Sequence, residues 1–210
     1  MARLSNLLSF SGVLGDVVGC NGPSGFYIRS RPKGSGKAPS PKQQDTRSRL
    51  ATVMRFLKPL KEIVYMGFAQ AHPSRSKTTA MNAAASHMLN YAVEGEYPDI
   101  SINPAAVRLS RGALASLPDV AHEQVGSEVT VTWSPFLPKF SGNSDDIVMA
   151  ICYNLEERSV MVTKALRSDG LATLDLFELP SNSTSLIYVC VADRGRKVFA
   201  NSQFVGKIER

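Results

Sequence analysis

Basic side chains are concentrated in one short stretch of the chain, directly after a pair of aromatic residues. The stretch begins with Phe26 and Tyr27 and continues with Arg29, Arg31, Lys33, Lys37, Lys42, Arg47 and Arg49. Lysine and arginine neutralise phosphates and aromatic rings stack on bases, so this set has the chemistry of a nucleic-acid contact. The same side chains would also dock on an acidic protein surface, or lie in solvent as a linker and a helix face. These nine residues are therefore candidate contacts for a protein partner or for nucleic acid.

The charge of the whole chain is divided unevenly along its 210 residues. Residues 1–80 hold 13 Lys and Arg against 3 Asp and Glu, whereas residues 81–210 hold 11 against 15, and the net charge is +6. A basic N-terminal part and an acidic remainder attract one another electrostatically. Contact between the N-terminal part of one subunit and the C-terminal part of another is therefore favoured.

The sequence contains no pattern that predicts catalysis. The Gly-rich leader, residues 10–31, lacks a Gly-Lys-Ser/Thr ending, and Lys33-Gly34-Ser35-Gly36-Lys37 precedes Ala-Pro instead of a helix. There is no Gly-x-Ser-x-Gly motif, and His72, His87 and His122 lie far apart without a carboxylate at a helical ligand spacing. We expect no catalytic residue, cofactor or metal ion and no small-molecule substrate, and we interpret the protein as not being an enzyme.

The three cysteines are too few and too widely spaced for a disulfide framework or a zinc site. Cys152 and Cys190 lie in apolar runs, where a free thiol acts as a small apolar side chain. Core packing is the favoured interpretation, and a Cys152–Cys190 bridge is the alternative.

No run of 18 apolar residues is present, so the sequence predicts no membrane span. Val17-Val18-Gly19-Cys20 is similar to a lipoprotein cleavage box, but Asp16 interrupts the apolar stretch before it. We expect no signal peptide and synthesis in the cytoplasm, with a phage or surface particle as one destination.

The N-terminal part is predicted to contain a hairpin and two helices. Asn21-Gly22 is a turn signal between Val17-Val18 and Phe26–Ile28, and residues 32–41 form a basic linker. A helix beginning at Pro41 has apolar residues at three- and four-residue steps as far as Phe68, and Pro59 either kinks or breaks it. A second helix is expected over residues 78–93, with Thr78 or Thr79 as its cap.

Beyond residue 125 the apolar pattern alternates, as in β-strands. Six strands are expected, at Val129–Trp133, Ile147–Tyr153, Ser159–Ala165, Ala172–Phe177, Leu186–Ala192 and Lys197–Val205. Short strands are also expected at Ile100–Ile102 and Val107–Leu109. The regular spacing predicts an immunoglobulin-like or fibronectin-III-like β-sandwich, and therefore an α+β protein.

The expected domains are a basic arm over residues 1–40, a helical pair over 41–95, connecting strands over 96–124 and the sandwich over 125–210. The helices form a separate domain or pack on one sheet of the sandwich.

The order of motifs resembles that of a family of uncharacterised Bacteroidota proteins of about this length. The resemblance covers nearly the whole chain and rests on Phe26–Pro32, Gln43-Gln44, Arg47–Phe56, Gly67-Phe68, Asn82–Ala84, Gly95–Pro98, Leu109–Gly112, Thr130–Trp133, Arg167–Gly170 and Asn201-Ser202. The chain departs from the family pattern at Cys20-Asn21, where a small polar residue and then an aromatic residue are expected. The resemblance implies no activity, cofactor or catalytic residue.

The function expected from these observations is that of a structural or interaction protein. It would assemble with copies of itself, or into a larger particle, through the arm of residues 1–40. The alternative is a nucleic-acid-binding protein that uses the same arm and the basic face of the first helix.

Overall fold

The structure is a computed structural model that describes residues 3–6, 9–22, 25–33, 36, 38–70, 79–136, 142–177, 180 and 182–209. The chain forms two compact units, Met1–Ser40 and Pro41–Arg210. Lys37 and His72 lie outside the described residues.

The first unit is an antiparallel sheet. Its strands are β1 (Arg3–Asn6), β2 (Ser9–Leu14), β3 (Val17–Gly22) and β4 (Gly25–Ser30), in the order β1-β2-β3-β4. We call it the leader sheet.

The predicted pairing of Val17-Val18 with the Phe26–Ile28 region is present in the leader sheet, because β3 pairs with β4. Asn21-Gly22 is not the turn, however, since both residues lie inside β3. The connection between β3 and β4 falls directly after Gly22, on residues 23–24, which lie outside the described residues. A separate turn at Gly15-Asp16 joins β2 to β3, and Gly15 has a φ of 58° there that glycine adopts without steric cost. This turn adds β2 to the sheet, so the predicted two-stranded hairpin is part of a larger sheet.

The helices follow the apolar periodicity closely. They are α1 (Pro41–Leu57), α2 (Lys61–Gly67) and α3 (Ala80–Tyr91), and both α1 and α2 contact α3. The chain breaks between α1 and α2 at Pro59, which settles the choice between a kink and a break. Thr79 caps α3, because its side chain accepts a hydrogen bond from the Asn82 backbone N–H at 3.3 Å.

The segment after α3 contains the short strands β5 (Val93–Glu94) and β6 (Ser101–Ile102), which pair with each other, and a 3₁₀ turn at Pro104–Ala106. The predicted strand at Val107–Leu109 is wrong. The Asn103 side chain accepts from the Ala105 N–H at 3.1 Å and starts the 3₁₀ turn, and the residues beyond it are bound by a serine side chain instead of a strand.

The described residues beyond 120 form a β-sandwich. Its strands are β7 (Ala121–Val125), β8 (Glu128–Thr132), β9 (Ile147–Asn154), β10 (Val160–Leu166), β11 (Leu171–Asp175), β12 (Thr184–Ala192) and β13 (Gln203–Glu209). The sheets have the orders β11-β8-β7 and β10-β9-β12-β13, and all pairings are antiparallel. The first, second and fifth strands thus face the other four, which is the immunoglobulin-like and fibronectin-III-like arrangement that the sequence predicts.

Two details of the sandwich differ from the prediction. β7 lies in a stretch expected to be connecting structure, and the last strand begins at Gln203 instead of Lys197. The second difference has a local cause. The Asp193 side chain accepts hydrogen bonds from the backbone N–H groups of Lys197 and Val198, both at 2.6 Å, and holds them in a turn.

The four-stranded sheet of the sandwich, β10-β9-β12-β13, is covered on both faces. The three helices pack on one face around residues such as Met88 and Tyr188, and the three-stranded sheet packs on the other around Val131 and Trp133. The helices therefore pack on one sheet of the sandwich and form a third layer of the second unit.

Cys152 and Cys190 are both buried free thiols, which confirms core packing. Cys152 belongs to the core between the sheets and Cys190 to the core beneath the helices, so they lie on opposite faces of one sheet. The alternative of a bridge between them is wrong.

Candidate interaction surfaces

The predicted contact residues are distributed over both compact units. Phe26, Tyr27 and Arg29 lie on β4, and Arg31 and Lys33 follow it. Lys42, Arg47 and Arg49 lie on α1, and Lys37 is outside the described residues. The structure therefore gives two basic surfaces, each described within its own unit.

The leader sheet has an apolar face that the rest of its unit leaves uncovered. The cross-strand pairs Leu14–Val17 and Gly19–Ile28 place these residues on one face. Leu14 is 59% exposed and Ile28 is 54% exposed. From Phe10 to Ser40, none of the described apolar side chains is buried. A sheet that exposes apolar residues, and whose described side chains form no buried core, has the properties of a surface that a partner covers.

The two aromatic residues predicted to act together lie on opposite faces of the leader sheet. Phe26 is on the apolar face, where its ring packs against Phe10 with centroids 5.8 Å apart. Tyr27 pairs with Cys20 on the other face, which also carries Arg29. Adjacent strand residues alternate in direction, so the combination of Tyr27 and Arg29 is the one that the fold brings together.

Arg49 is engaged within its own unit. Its Nε donates to Asp45 Oδ2 at 2.8 Å, and its Nη2 donates to the Gly95 carbonyl at 2.6 Å. Asp45 also accepts from the Tyr97 N–H at 3.1 Å. The hydrogen bond from Arg49, followed by that from Tyr97, lowers the pKa of the Asp45 carboxyl against an opposing effect of burial. Arg49 thus joins α1 to the turn after β5.

The exposed basic face of α1 consists of other residues. Lys42 and Arg47 are both exposed. At 100° per residue, Arg47, Arg55 and Lys58, which directly follows α1, lie on one side of the helix, and Lys42 does not. The ion pair of Arg49 has a signal in the sequence, because Asp45 precedes it by four residues, the spacing of neighbours on a helix.

An acidic surface lies on the outer face of the three-stranded sheet. Its residues alternate with buried ones along each strand, and we call them the acidic face: Ala121, Glu123, Val125, Glu128, Thr130, Thr132, Leu171, Thr173 and Asp175. The three carboxylates are exposed, and these nine residues include no basic side chain. Glu128 lies directly between Val125 and Asp175 in the register. The sequence alone did not predict this surface, since it depends on how three strands align.

A cleft opens between α3, the segment 105–111 and the start of β13. Its volume is about 540 Å³, and its side chains include His87, Tyr91, Arg108, Arg111 and Phe204. His87, which the sequence gave no ligand partner at a helical spacing, lies on the wall of this cleft.

Burial lowers the pKa of the His87 imidazole, and the charges of Arg108 and Arg111 act in the same direction, while a hydrogen bond with the Ala106 backbone opposes them.

The described part of the chain has neither the side-chain clusters of a metal site nor a membrane-spanning helix. Within it, no group of three or more His, Cys, Asp or Glu side chains is placed to hold a metal ion. Among the same residues, no helix has the length and apolarity needed to cross a membrane. His122 packs against Gly206 in the sandwich.

The comparisons with known proteins identify a family. The model of a family of unknown function, DUF6266, matches residues 9–206, and the chain belongs to this family. This confirms the resemblance to an uncharacterised family. No curated protein matches the chain.

Among solved structures, the chain is similar to the fn3 domain of human collagen alpha-1(XX) chain, with 18% identity, a TM-score of 0.32, and coverage of 48% of this chain and 84% of that one. It is also similar to the chicken interferon gamma receptor alpha chain, with 13% identity, a TM-score of 0.36, and coverage of 55% and 58%. With TM-scores this low neither likeness supports an argument, and the fold rests on the strand order described above.

Proposed function

We propose that the protein is a non-enzymatic structural protein that assembles with copies of itself, the leader sheet of one copy docking on the acidic face of another. The observation that supports this most directly is the leader sheet, which forms strands yet buries none of its described apolar side chains. A small sheet with exposed apolar side chains gains stability when another surface covers them.

Charge favours the acidic face as the surface on which the leader sheet of another copy docks. Residues 1–40 contain five basic residues and one acidic residue, Asp16. The acidic face offers Glu123, Glu128 and Asp175, together with the exposed apolar side chains of Val125 and Leu171. The face of the leader sheet that carries Arg29 also exposes Val13 and Tyr27. A basic surface with apolar residues thus matches an acidic surface with apolar residues, which steers the encounter and then buries apolar area.

The pairing of Glu128 with Asp175 points the same way. These carboxylates are direct cross-strand neighbours, and like charges in that position destabilise a sheet. A cationic partner removes the repulsion. A binding surface for a cationic partner therefore accounts for this pair of carboxylates better than the stability of the sheet alone does.

The contact joins two different surfaces of the same chain, so it is heterologous. Such contacts close into rings or continue as open chains. This geometry suits a component of a larger particle, with a phage or surface particle as one setting.

The test is molar mass by light scattering on a sizing column, for the full chain and for a chain lacking residues 1–40. The full chain is expected to form oligomers. The shortened chain retains both cores of the second unit and is expected to be a folded monomer. A full chain that is monomeric at all concentrations overturns the proposal, as does a shortened chain that assembles equally well.

Charge reversal identifies the two surfaces. Glu128→Lys with Asp175→Lys is expected to abolish assembly, and Arg29→Glu with Arg31→Glu in the same chain is expected to restore part of it. Glu62→Lys with Glu96→Lys is the matched control, because both residues are exposed and lie off the acidic face. Equal losses in the control and the test variant would contradict docking at this face.

Nucleic-acid binding is the second candidate, favoured by the exposed basic face of α1. Arg47, Arg55 and Lys58 are exposed there, and Leu50 and Met54 are exposed beside them. Binding of this kind weakens steeply as salt rises, because counterions are released from the phosphates. The 260/280 nm absorbance ratio of the sizing peak, with and without nuclease, tests it. The double variant Arg47→Ala, Arg55→Ala should lose the nuclease-sensitive absorbance at 260 nm. An unaltered protein whose peak shows no such absorbance rejects nucleic-acid binding.

A further inference from the structure

The cleft beside α3 is positively charged and is lined by no carboxylate. Its cationic groups are Arg108 and Arg111. His87 also lines it, and burial and then the charges of both arginines lower the pKa of its imidazole. Within the described residues, neither guanidinium makes a hydrogen bond or an ion pair. Unpaired arginines beside a concave surface are typical of sites for planar or tetrahedral anions.

The backbone that carries the two arginines is held rigidly. Leu109 and Ser110, which lie between them, are fully buried. The Leu109 N–H donates to Ser202 Oγ at 2.8 Å, and the Ser110 hydroxyl donates to the Ala200 carbonyl at 2.8 Å. The Arg111 N–H donates to the Gly67 carbonyl at 3.0 Å. These bonds fix both Cα positions before a ligand arrives, which reduces the entropy lost on binding.

One wall of the cleft is aromatic. The His87 and Tyr91 rings lie 4.8 Å apart with an interplanar angle of 37°, and Tyr91 is 68% exposed. Phe204 lines the opposite side, where its ring packs on Tyr188 with centroids 5.3 Å apart. An exposed ring held next to two arginines provides a stacking surface adjacent to a site for charge.

We propose that this cleft binds a phosphate monoester carried on a planar group, with Arg108 and Arg111 on the phosphate and Tyr91 against the planar group. With the His87 imidazole neutral, the charge of the site is that of the two arginines. A phosphate dianion balances both charges, whereas a single carboxylate balances only one. The cleft volume of about 540 Å³ is within the range of small-ligand sites.

The experiment is isothermal titration of the full chain with phenyl phosphate, inorganic phosphate and benzoate at about pH 7.5, where the phosphate is a dianion. Phenyl phosphate is expected to bind most tightly. Inorganic phosphate tests the contribution of the ring, and benzoate tests the contribution of the second negative charge.

Variants assign the contacts. Arg108→Gln and Arg111→Gln are each expected to weaken phenyl phosphate binding about tenfold or more, since each removes a charge-assisted hydrogen-bond donor. Tyr91→Ala is expected to weaken phenyl phosphate but not inorganic phosphate. Arg194→Gln is the matched control, because its side chain is 84% exposed and does not line the cleft.

His87 gives a second readout. Its ring faces Tyr91, Arg108 and Arg111, so a bound dianion offsets the arginine charges and raises its pKa. NMR titration of the His87 ring is expected to show a higher pKa with phenyl phosphate than without it.

The proposal is overturned if phenyl phosphate fails to bind, if benzoate binds as tightly, or if the Arg194→Gln control loses as much affinity as the cleft variants. Inorganic phosphate that binds as tightly as phenyl phosphate overturns the role of Tyr91.

Discussion

The Arg167 guanidinium lies beside the Asp146 carboxylate within the sandwich, with Nε 3.3 Å from Oδ2 and both side chains fully buried. The same two residues are joined through their backbones, because the Arg167 N–H donates to the Asp146 carbonyl at 2.8 Å. Arg167 Nη2 also donates to the Ala115 carbonyl at 2.6 Å. Burial lowers the pKa of Arg167, and the charge of Asp146 opposes that shift. The pair connects the end of β10 to the start of β9.

Removing one member of this pair should cost far more than removing a surface charge. Arg167→Met leaves the Asp146 carboxylate buried without its counterion, and a loss of about 3–5 kcal/mol in the free energy of unfolding is expected. Arg194→Met breaks the exposed pair with Asp145 and should cost less than about 1 kcal/mol. Urea unfolding of both variants measures this. Equal losses would show that burial of the ion pair has no special role.

The three thiols should differ sharply in reactivity. Cys152 and Cys190 are buried, and burial raises the pKa of both thiols, that of Cys190 to about 12. Cys20 is half-buried in the leader sheet. Since the thiolate is the reactive form, a thiol reagent at about pH 8 should modify Cys20 first and the other two only after unfolding. Cys20→Ser should remove the fast phase. Three equal rates would contradict the burial.

The raised pKa of Cys190 also sets a pH dependence of stability. In the unfolded chain a thiol ionises near pH 8.5, whereas folded Cys190 keeps its proton to about pH 12. Its contribution to stability is therefore complete below about pH 8.5 and is lost as pH rises toward 12.

Between pH 8 and 10.5 the native chain should lose about 2–3 kcal/mol more than Cys190→Ala, measured by urea unfolding at each pH. Because the native chain and Cys190→Ala share all other titrating groups, the contributions of those groups cancel in the difference. Equal losses would mean that Cys190 does not contribute.

A glycine on β13 is required by a histidine on β7. A Cβ atom added at Gly206 would collide with the His122 ring. Gly206→Ala should therefore cost about 1–3 kcal/mol of stability by overpacking. In a His122→Ala background the same change should cost much less, because the ring has gone. Thermal or urea unfolding of the double-mutant cycle measures the coupling, and simple additivity would contradict this contact.

The parts of the fold that the sequence predicted are those fixed by local pattern. The start of α1 at Pro41, the break at Pro59 and the Thr79 cap follow from proline geometry and capping chemistry. β8, β10 and β11 follow from apolar alternation, whereas β9 and β12 follow from continuous apolar runs that are buried on both faces of the sheet. β7, with the sequence AHEQV, lacks that signal and is a strand because it pairs with β8.

The candidate surfaces were less predictable because they depend on tertiary alignment. The sequence showed the basic residues but not that Arg49 donates a hydrogen bond to the Gly95 carbonyl. The cleft brings His87 to Arg108 and Arg111 across about twenty residues of intervening chain. No local spacing encodes that approach, because it follows from the packing of α3 beside β13.

The cross-strand pair of Glu128 and Asp175 should trade folding stability against assembly. Glu128→Gln removes the like-charge repulsion, so the shortened chain lacking residues 1–40 should gain about 0.2–1 kcal/mol in the free energy of unfolding. The same change removes a carboxylate from the proposed docking surface, so assembly of the full chain should weaken, as measured by the concentration dependence of its molar mass. Glu62→Gln, on the exposed side of α2, should alter neither quantity. If Glu128→Gln strengthens assembly, or lowers the stability of the shortened chain, then repulsion between these two carboxylates is not what the proposed contact relieves.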